Sequence, residues 1–118
     1  MKRRELAKVY DQLSSTDFKI PTRRKNCDHV FHLYVCRTPA RDELIKYLEG
    51  FNIYPGIHYP LPIHLHPAYL NNLELASKMS VTESIAKNIV SLPMYPELPI
   101  EDAQKIVDLI SKFFETNV

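Results

Sequence analysis

Leu6, Val9, Tyr10 and Leu13 recur at i, i+3, i+4 and i+7, which lays one apolar stripe along a helix over about Lys2 to Leu13. Ser14-Ser15-Thr16-Asp17 ends that stripe, and the stretch to Asp28, with Pro21 and the basic run Arg23-Arg24-Lys25, is a loop. His29 to Arg37 is rich in β-branched and aromatic residues. Phe31, Leu33 and Val35 share one face and Val30, His32, Tyr34 and Cys36 the other, so a strand buried on much of both faces is expected. Thr38 then caps a short helix with Pro39 at its first position and an apolar stripe of Leu44, Ile45 and Leu48, ending near Gly50 or Asn52.

Prolines divide the second half. Ile53 to Tyr59 is extended, but Pro55 has no N–H to give to a ladder, so this segment is an edge strand or bends at Pro55-Gly56. Ser80-Val81-Thr82-Glu83 has the S-x-x-E form of a capping box, with Ile85, Ala86 and Ile89 behind it on one helical face. Val90 to Leu92 is a brief extended run stopped by Pro93. Glu101 and Asp102 open a last helix, acids at the end its dipole favours, with a stripe of Ala103, Ile106, Val107, Ile110, Phe113 and Phe114. The predicted class is α+β, a small two- to three-stranded sheet packed with about four helices and no internal repeat.

The first helix starts against the rule. Lys2, Arg3 and Arg4 put three cations at the positive end of the dipole, with no Ser, Thr, Asp or Asn ahead of them as a cap. Either the helix begins further upstream, or this is a ragged surface terminus.

Composition narrows the function classes. The 118 residues are 45% hydrophobic and 25% charged, the mixture of one compact folded domain. Fifteen Lys+Arg against 14 Asp+Glu leave a net charge of +1, too little to hold nucleic acid or an anionic membrane. No apolar run approaches the roughly 20 residues of a membrane span. The opening Met-Lys-Arg-Arg-Glu has no apolar stretch behind it, and there are only 2 cysteines, so a reducing cytoplasm is the expected setting. With only Gly50 and Gly56, the chain has no glycine-rich loop to cradle a phosphate. The Arg23-Arg24-Lys25 run is a solvated surface and receives no role.

Five histidines are the first chemical candidates, since His58, His64 and His66 form an H-x5-H-x-H set. No Cys or carboxylate stands at a ligand-like spacing within His58 to Pro67, so no metal site is expected. Cys36 lies inside an apolar strand, where a thiol is a small core residue rather than a nucleophile. From Gly56 to Tyr69, rings and prolines alternate. Proline fixes φ, so this segment has low conformational entropy and can hold His and Tyr tips at set positions, as a pocket wall does. Equally, it can be a Pro-rich connection whose rings cap the core.

The run PGIHYPLPIHLHPAY, the strand HVFHLYVCR followed by RDEL, the later SLPMYPEL and a final helix ending KFF together resemble the C-terminal small domain of the pyridoxal-phosphate-dependent sugar aminotransferases of the DegT/DnrJ/StrS type. The resemblance covers nearly the whole chain. It implies a single C-terminal small domain over 1–118, with 1–14 as an interdomain helix and 29–118 as sheet and helices. It also implies a dimeric enzyme that moves an amino group from glutamate to a nucleotide-linked keto-deoxysugar, with pyridoxal phosphate held by a large domain that this chain lacks. The partners implied are that large domain, joined or on a separate chain, a second copy and the nucleotide sugar; nucleic acid and membrane are not among them.

Carried over by position, His58 and Tyr59 resemble residues on the sugar side of the active site, and His64 is a further candidate for substrate binding. No catalytic, cofactor-binding or metal-binding residue is nominated, and none of the lysines is read as the Schiff-base lysine. Many members have Gly where Asn52 stands, and Asn tolerates the same left-handed backbone. A domain cut from its partner should show an apolar patch, expected around Leu6, Val9 and Leu13. A non-catalytic remnant or self-associating domain is the competing reading.

Overall fold

A computed structural model describes residues 1–13, 15–69 and 79–116. Among these residues four α-helices, α1 (Lys2–Tyr10), α2 (Arg41–Glu49), α3 (Ser80–Asn88) and α4 (Ile100–Thr116), accompany two strands, β1 (Tyr34–Arg37) and β2 (Ile89–Leu92). The strands pair antiparallel, with Tyr34 opposite Leu92, Val35 opposite Ser91, Cys36 opposite Val90 and Arg37 opposite Ile89. Single bridges flank the pair, Lys19 with Arg37 on one side and Gly56 with Ser91 on the other. The α+β class is as expected.

The longest periodic stripe organises the core. Ala103, Ile106, Val107, Ile110 and Phe113 are buried along α4, which α1 and α2 both pack against. Leu6, Ala7, Val9 and Tyr10 form the buried face of α1, and Leu44 and Leu48 that of α2. Tyr47 and Phe113 meet ring to ring at 5.2 Å across the α2–α4 contact. The apolar patch expected around Leu6, Val9 and Leu13 is therefore absent: these side chains are 1%, 9% and 3% exposed, because α1 folds onto the domain's own core.

Tyr10 fixes α1 to the sheet. Its ring lies 5.1 Å from that of Tyr34, and its hydroxyl donates to the Pro93 carbonyl at 2.7 Å, just past β2. The Tyr34 hydroxyl donates to Asp11 Oδ1 at 2.9 Å. Burial, aided at Tyr34 by the hydrogen bond to Asp11, pushes both phenols above their ordinary range, so both stay neutral donors. Arg23, given no role by its sequence context, pairs with Asp11 and sits 5.0 Å from the centre of the Phe31 ring, so it helps close the loop over the core. Arg4 likewise reaches the 28–29 loop, bonding Asp28 at 3.1 Å and the His29 carbonyl at 3.2 Å.

Three boundaries differ from the expectation. The strand expected over His29 to Arg37 begins only at Tyr34, because Phe31 takes a left-handed φ of 50° and its N–H is captured by His29 Nδ1 at 2.8 Å. The Phe31 ring still reaches the core through this turn. The sheet keeps two strands, within the expected two to three: Ile53 to Tyr59 contributes one bridge, since Pro55 has no N–H to extend the pairing. Helix starts also shift: α2 begins at Arg41, with Thr38 Oγ1 accepting the Ala40 N–H at 3.2 Å, and α3 has Met79 at its cap position and no capping box.

The end of α2 is closed as expected from Asn52. Its φ is 59°, and the Asn52 N–H bonds Glu49 O at 3.0 Å while the Ile53 N–H bonds Leu48 O at 3.1 Å, the paired pattern of a Schellman motif. No helix among the described residues is long and apolar enough to cross a membrane. Cys27 is exposed and Cys36 buried, and burial pushes the Cys36 thiol well above its usual range.

Two measurements check this fold. A thiol reagent should react with Cys27 alone in the native protein and with both cysteines after denaturation. In urea titrations, Asn52→Val should lose about 1–2 kcal/mol, because a β-branched residue resists the left-handed region, while Asn52→Gly should lose far less.

Candidate functional site

A single backbone bridge joins the ring-and-proline segment to β2. Gly56 N–H bonds Ser91 O at 2.9 Å and Ser91 N–H bonds Gly56 O at 2.7 Å. Ser91 stands in β2 with all of its neighbours in the strand buried, so this reciprocal pair satisfies backbone groups that water does not reach. Gly56 does not adopt a positive φ. Its missing side chain serves a close approach instead: a Cβ there would stand 2.6 Å from Cε1 of His58.

His58 is thus folded back over Gly56, and its Nδ1 lies 2.9 Å from Ser91 Oγ. The Tyr59 ring stands edge-on to the imidazole at 5.6 Å between centroids and is largely exposed. The His58–Tyr59 peptide bond is cis. His58 Nε2 has no partner among the described residues, so the imidazole and phenol tips stand together at the surface with hydrogen-bonding capacity to spare.

His64 is placed differently. It lies in a 3-10 turn, Ile63–Leu65, and its Nε2 is 3.1 Å from Glu83 Oε1 on α3, with the imidazole only 8% exposed. The structure therefore brings His58 and Tyr59 together and turns His64 inward as a link to α3. Glu83 is the residue whose sequence position suggested a capping box; its carboxylate serves the imidazole instead. Between this segment and α3 lies a mainly apolar cavity of about 560 Å³, onto which Tyr59, His66, Tyr69, Thr82 and Ile85 open.

Sequence reasoning missed Ser91, Gly56 and Glu83 as supports. Ser91 stands within the SLPMYPEL motif, but its contact with His58 spans 33 positions and leaves no periodic trace. A ring flanked by glycine two residues earlier was the available signal.

Among the described residues no group of three or more His, Cys, Asp or Glu side chains is arranged to hold a metal ion. The residues described do not fit a Schiff-base cofactor either. All the described lysines are exposed, and Lys105 is held above its usual range by its hydrogen bond to Asp102, whereas an aldehyde-reactive lysine needs burial that lowers its pKa. Lys78 lies outside the described residues.

A model of the DegT/DnrJ/EryC1/StrS aminotransferase family matches residues 1–111. The chain is 35% identical over 114 residues to a dTDP-3-amino-3,4,6-trideoxy-alpha-D-glucose transaminase of Micromonospora megalomicea, covering 92% of this chain and 30% of that enzyme. It is 41% identical over 86 residues to a protein of Geobacillus stearothermophilus named a pleiotropic regulatory protein, covering 73% of this chain and 23% of the relative. The crystal structure of DesV from Streptomyces venezuelae in complex with a ketimine intermediate superposes with a TM-score of 0.87 at 32% identity, over 95% of this chain and 31% of DesV. The chain thus spans less than a third of the length of these relatives.

Removing the link to α3 isolates its contribution. Glu83→Ala should leave the core intact but weaken the 3-10 turn by about 1 kcal/mol, read as several-fold faster amide exchange at Leu65 and His66.

Proposed function

We propose that this chain, which belongs to the DegT/DnrJ/EryC1/StrS aminotransferase family, supplies the sugar-side wall of the active site of a nucleotide-sugar aminotransferase. The carrying observation is the His58–Tyr59 pair, held against a buried strand with its polar tips outward, in a chain that matches sugar transaminases over 30% of their length. The reaction is transfer of an amino group from glutamate to a keto-deoxysugar linked to a nucleotide. A deoxythymidine-diphosphate-linked 6-deoxy sugar is the substrate class this reading favours.

Each residue has a role suited to its chemistry. His58 and Tyr59 hydrogen-bond sugar hydroxyls or diphosphate oxygens. His64 acts through the segment, which its contact with Glu83 braces on α3. Pyridoxal phosphate supplies the electron sink in such enzymes when bound. In this reading it sits on a large domain, joined to this chain or carried by a separate one, within a cytoplasmic homodimer. This chain alone is not catalytic.

A second reading has its own support. The closed α1–α4 core leaves no torn apolar face at Leu6, Val9 and Leu13, as a domain folding by itself would, and one relative bears a regulatory name. On that reading the domain is a non-catalytic remnant or self-associating module.

One set of measurements separates them. Incubated with pyridoxal phosphate and dialysed, the chain by itself should show no aldimine absorbance; retained stoichiometric cofactor would overturn the wall assignment. Combined with a lysine-bearing large domain of the family, it should support amination of a dTDP-linked keto-6-deoxysugar by glutamate. His58→Ala should then lower kcat/KM by about 10- to 100-fold, the worth of a hydrogen bond to a charged group. Inactivity with every such domain would favour the remnant.

A further inference from the structure

We propose that Ser91 is a positioning residue that fixes His58 as a hydrogen-bond donor: the Ser91 hydroxyl donates to Nδ1, the neutral imidazole carries its proton on Nε2, and that N–H is offered to an acceptor oxygen of the ligand. The ligand-facing part rests on the reading of His58 given above; the assignment of the proton does not.

Every polar atom of Ser91 has a partner. The residue is only 3% exposed, and its backbone N–H and carbonyl are both committed to Gly56. Its hydroxyl proton needs an acceptor, because a buried donor without one bears the full penalty of its lost hydration. Among the described residues, the hydroxyl has one partner, His58 Nδ1 at 2.9 Å. Were Nδ1 to carry the proton and donate, the serine proton would have no acceptor among the described residues. With the serine donating, only oxygen lone pairs go unused, which is the cheaper deficit. The Nε2–H form should therefore outnumber the Nδ1–H form by at least about tenfold.

Gly56 completes the clamp. The ring lies so close over its backbone that a Cβ would meet Cε1 at 2.6 Å and Nδ1 at 3.3 Å, so the imidazole is confined between a bare Cα and the serine hydroxyl. Tyr59 bounds it edge-on. A ring confined in this way presents one nitrogen outward in one protonation form. Its complement is an oxygen with a free lone pair, and a ligand group that can only donate is rejected.

Nuclear magnetic resonance on the ligand-free chain tests this directly. With 15N-labelled histidine, at a pH where the ring is neutral and with His58→Gln to assign its signals, Nε2 should show the protonated nitrogen shift and Nδ1 the unprotonated one. A slowly exchanging Ser91 hydroxyl proton should show contacts to the His58 ring. Ser91→Ala should remove that proton and move both nitrogen shifts toward the averaged values of a free ring, and Ser91→Thr should restore them. A protonated Nδ1 in the wild-type spectrum, or nitrogen shifts unchanged by Ser91→Ala, overturns the proposal. The wild-type spectrum decides the proton's position even if a variant fails to fold. Because no substrate or cofactor is present, a failure here leaves the aminotransferase reading standing, and a failure of reconstitution leaves this one.

Discussion

The reciprocal backbone pair between Gly56 and Ser91 is the constraint on which the site depends. β2 is buried along its whole length, so the outward N–H and carbonyl of Ser91 must be satisfied by protein. The segment that satisfies them is too rich in proline to form a strand, and it meets the sheet at this one residue. A single bridge therefore does what a ladder does elsewhere: it sets the height and direction at which His58 and Tyr59 leave the core. The prolines on either side then limit how far that setting can drift.

Around this point the fold divides into two tiers. The lower tier is the apolar block of α1, α2 and α4, closed by the Tyr10 hydroxyl on Pro93 and by Asp11, which receives both Tyr34 and Arg23. The upper tier is the ring-and-proline segment braced on α3, with His64 and Glu83 as the brace. Tyr10 ties the lower tier to Pro93, the residue just after β2, and Ser91 ties that strand to the upper tier. β2 is the element they share.

What was legible in the sequence follows from how local each signal is. The α4 stripe repeats over about three turns and its acids stand at the correct end, so its existence and buried face were readable. Asn52 was readable because a left-handed helix end is a property of one residue and its immediate neighbours. The start of β1 was not, since Phe31 alternates correctly on paper while its backbone turns left-handed to reach the core. The capping box failed for the opposite reason: Ser80 and Glu83 have the right spacing, but a histidine 19 positions earlier claims the carboxylate. The patch expected on α1 failed because an apolar stripe says that something covers it, never what. His58 and Tyr59 came from resemblance, and the serine behind them is visible only when the chain is folded.

The pairing of β1 with β2 has a reach beyond the sheet. Side chains along a strand alternate in direction, so sliding β2 by a single position would exchange Ser91 for Val90 or Leu92 behind the imidazole. An aliphatic group there offers no proton and no lone pair. The alignment of two four-residue strands is thus also the setting of a histidine that neither strand contains, and wear in the core can silence that histidine without altering a single residue beside the ligand.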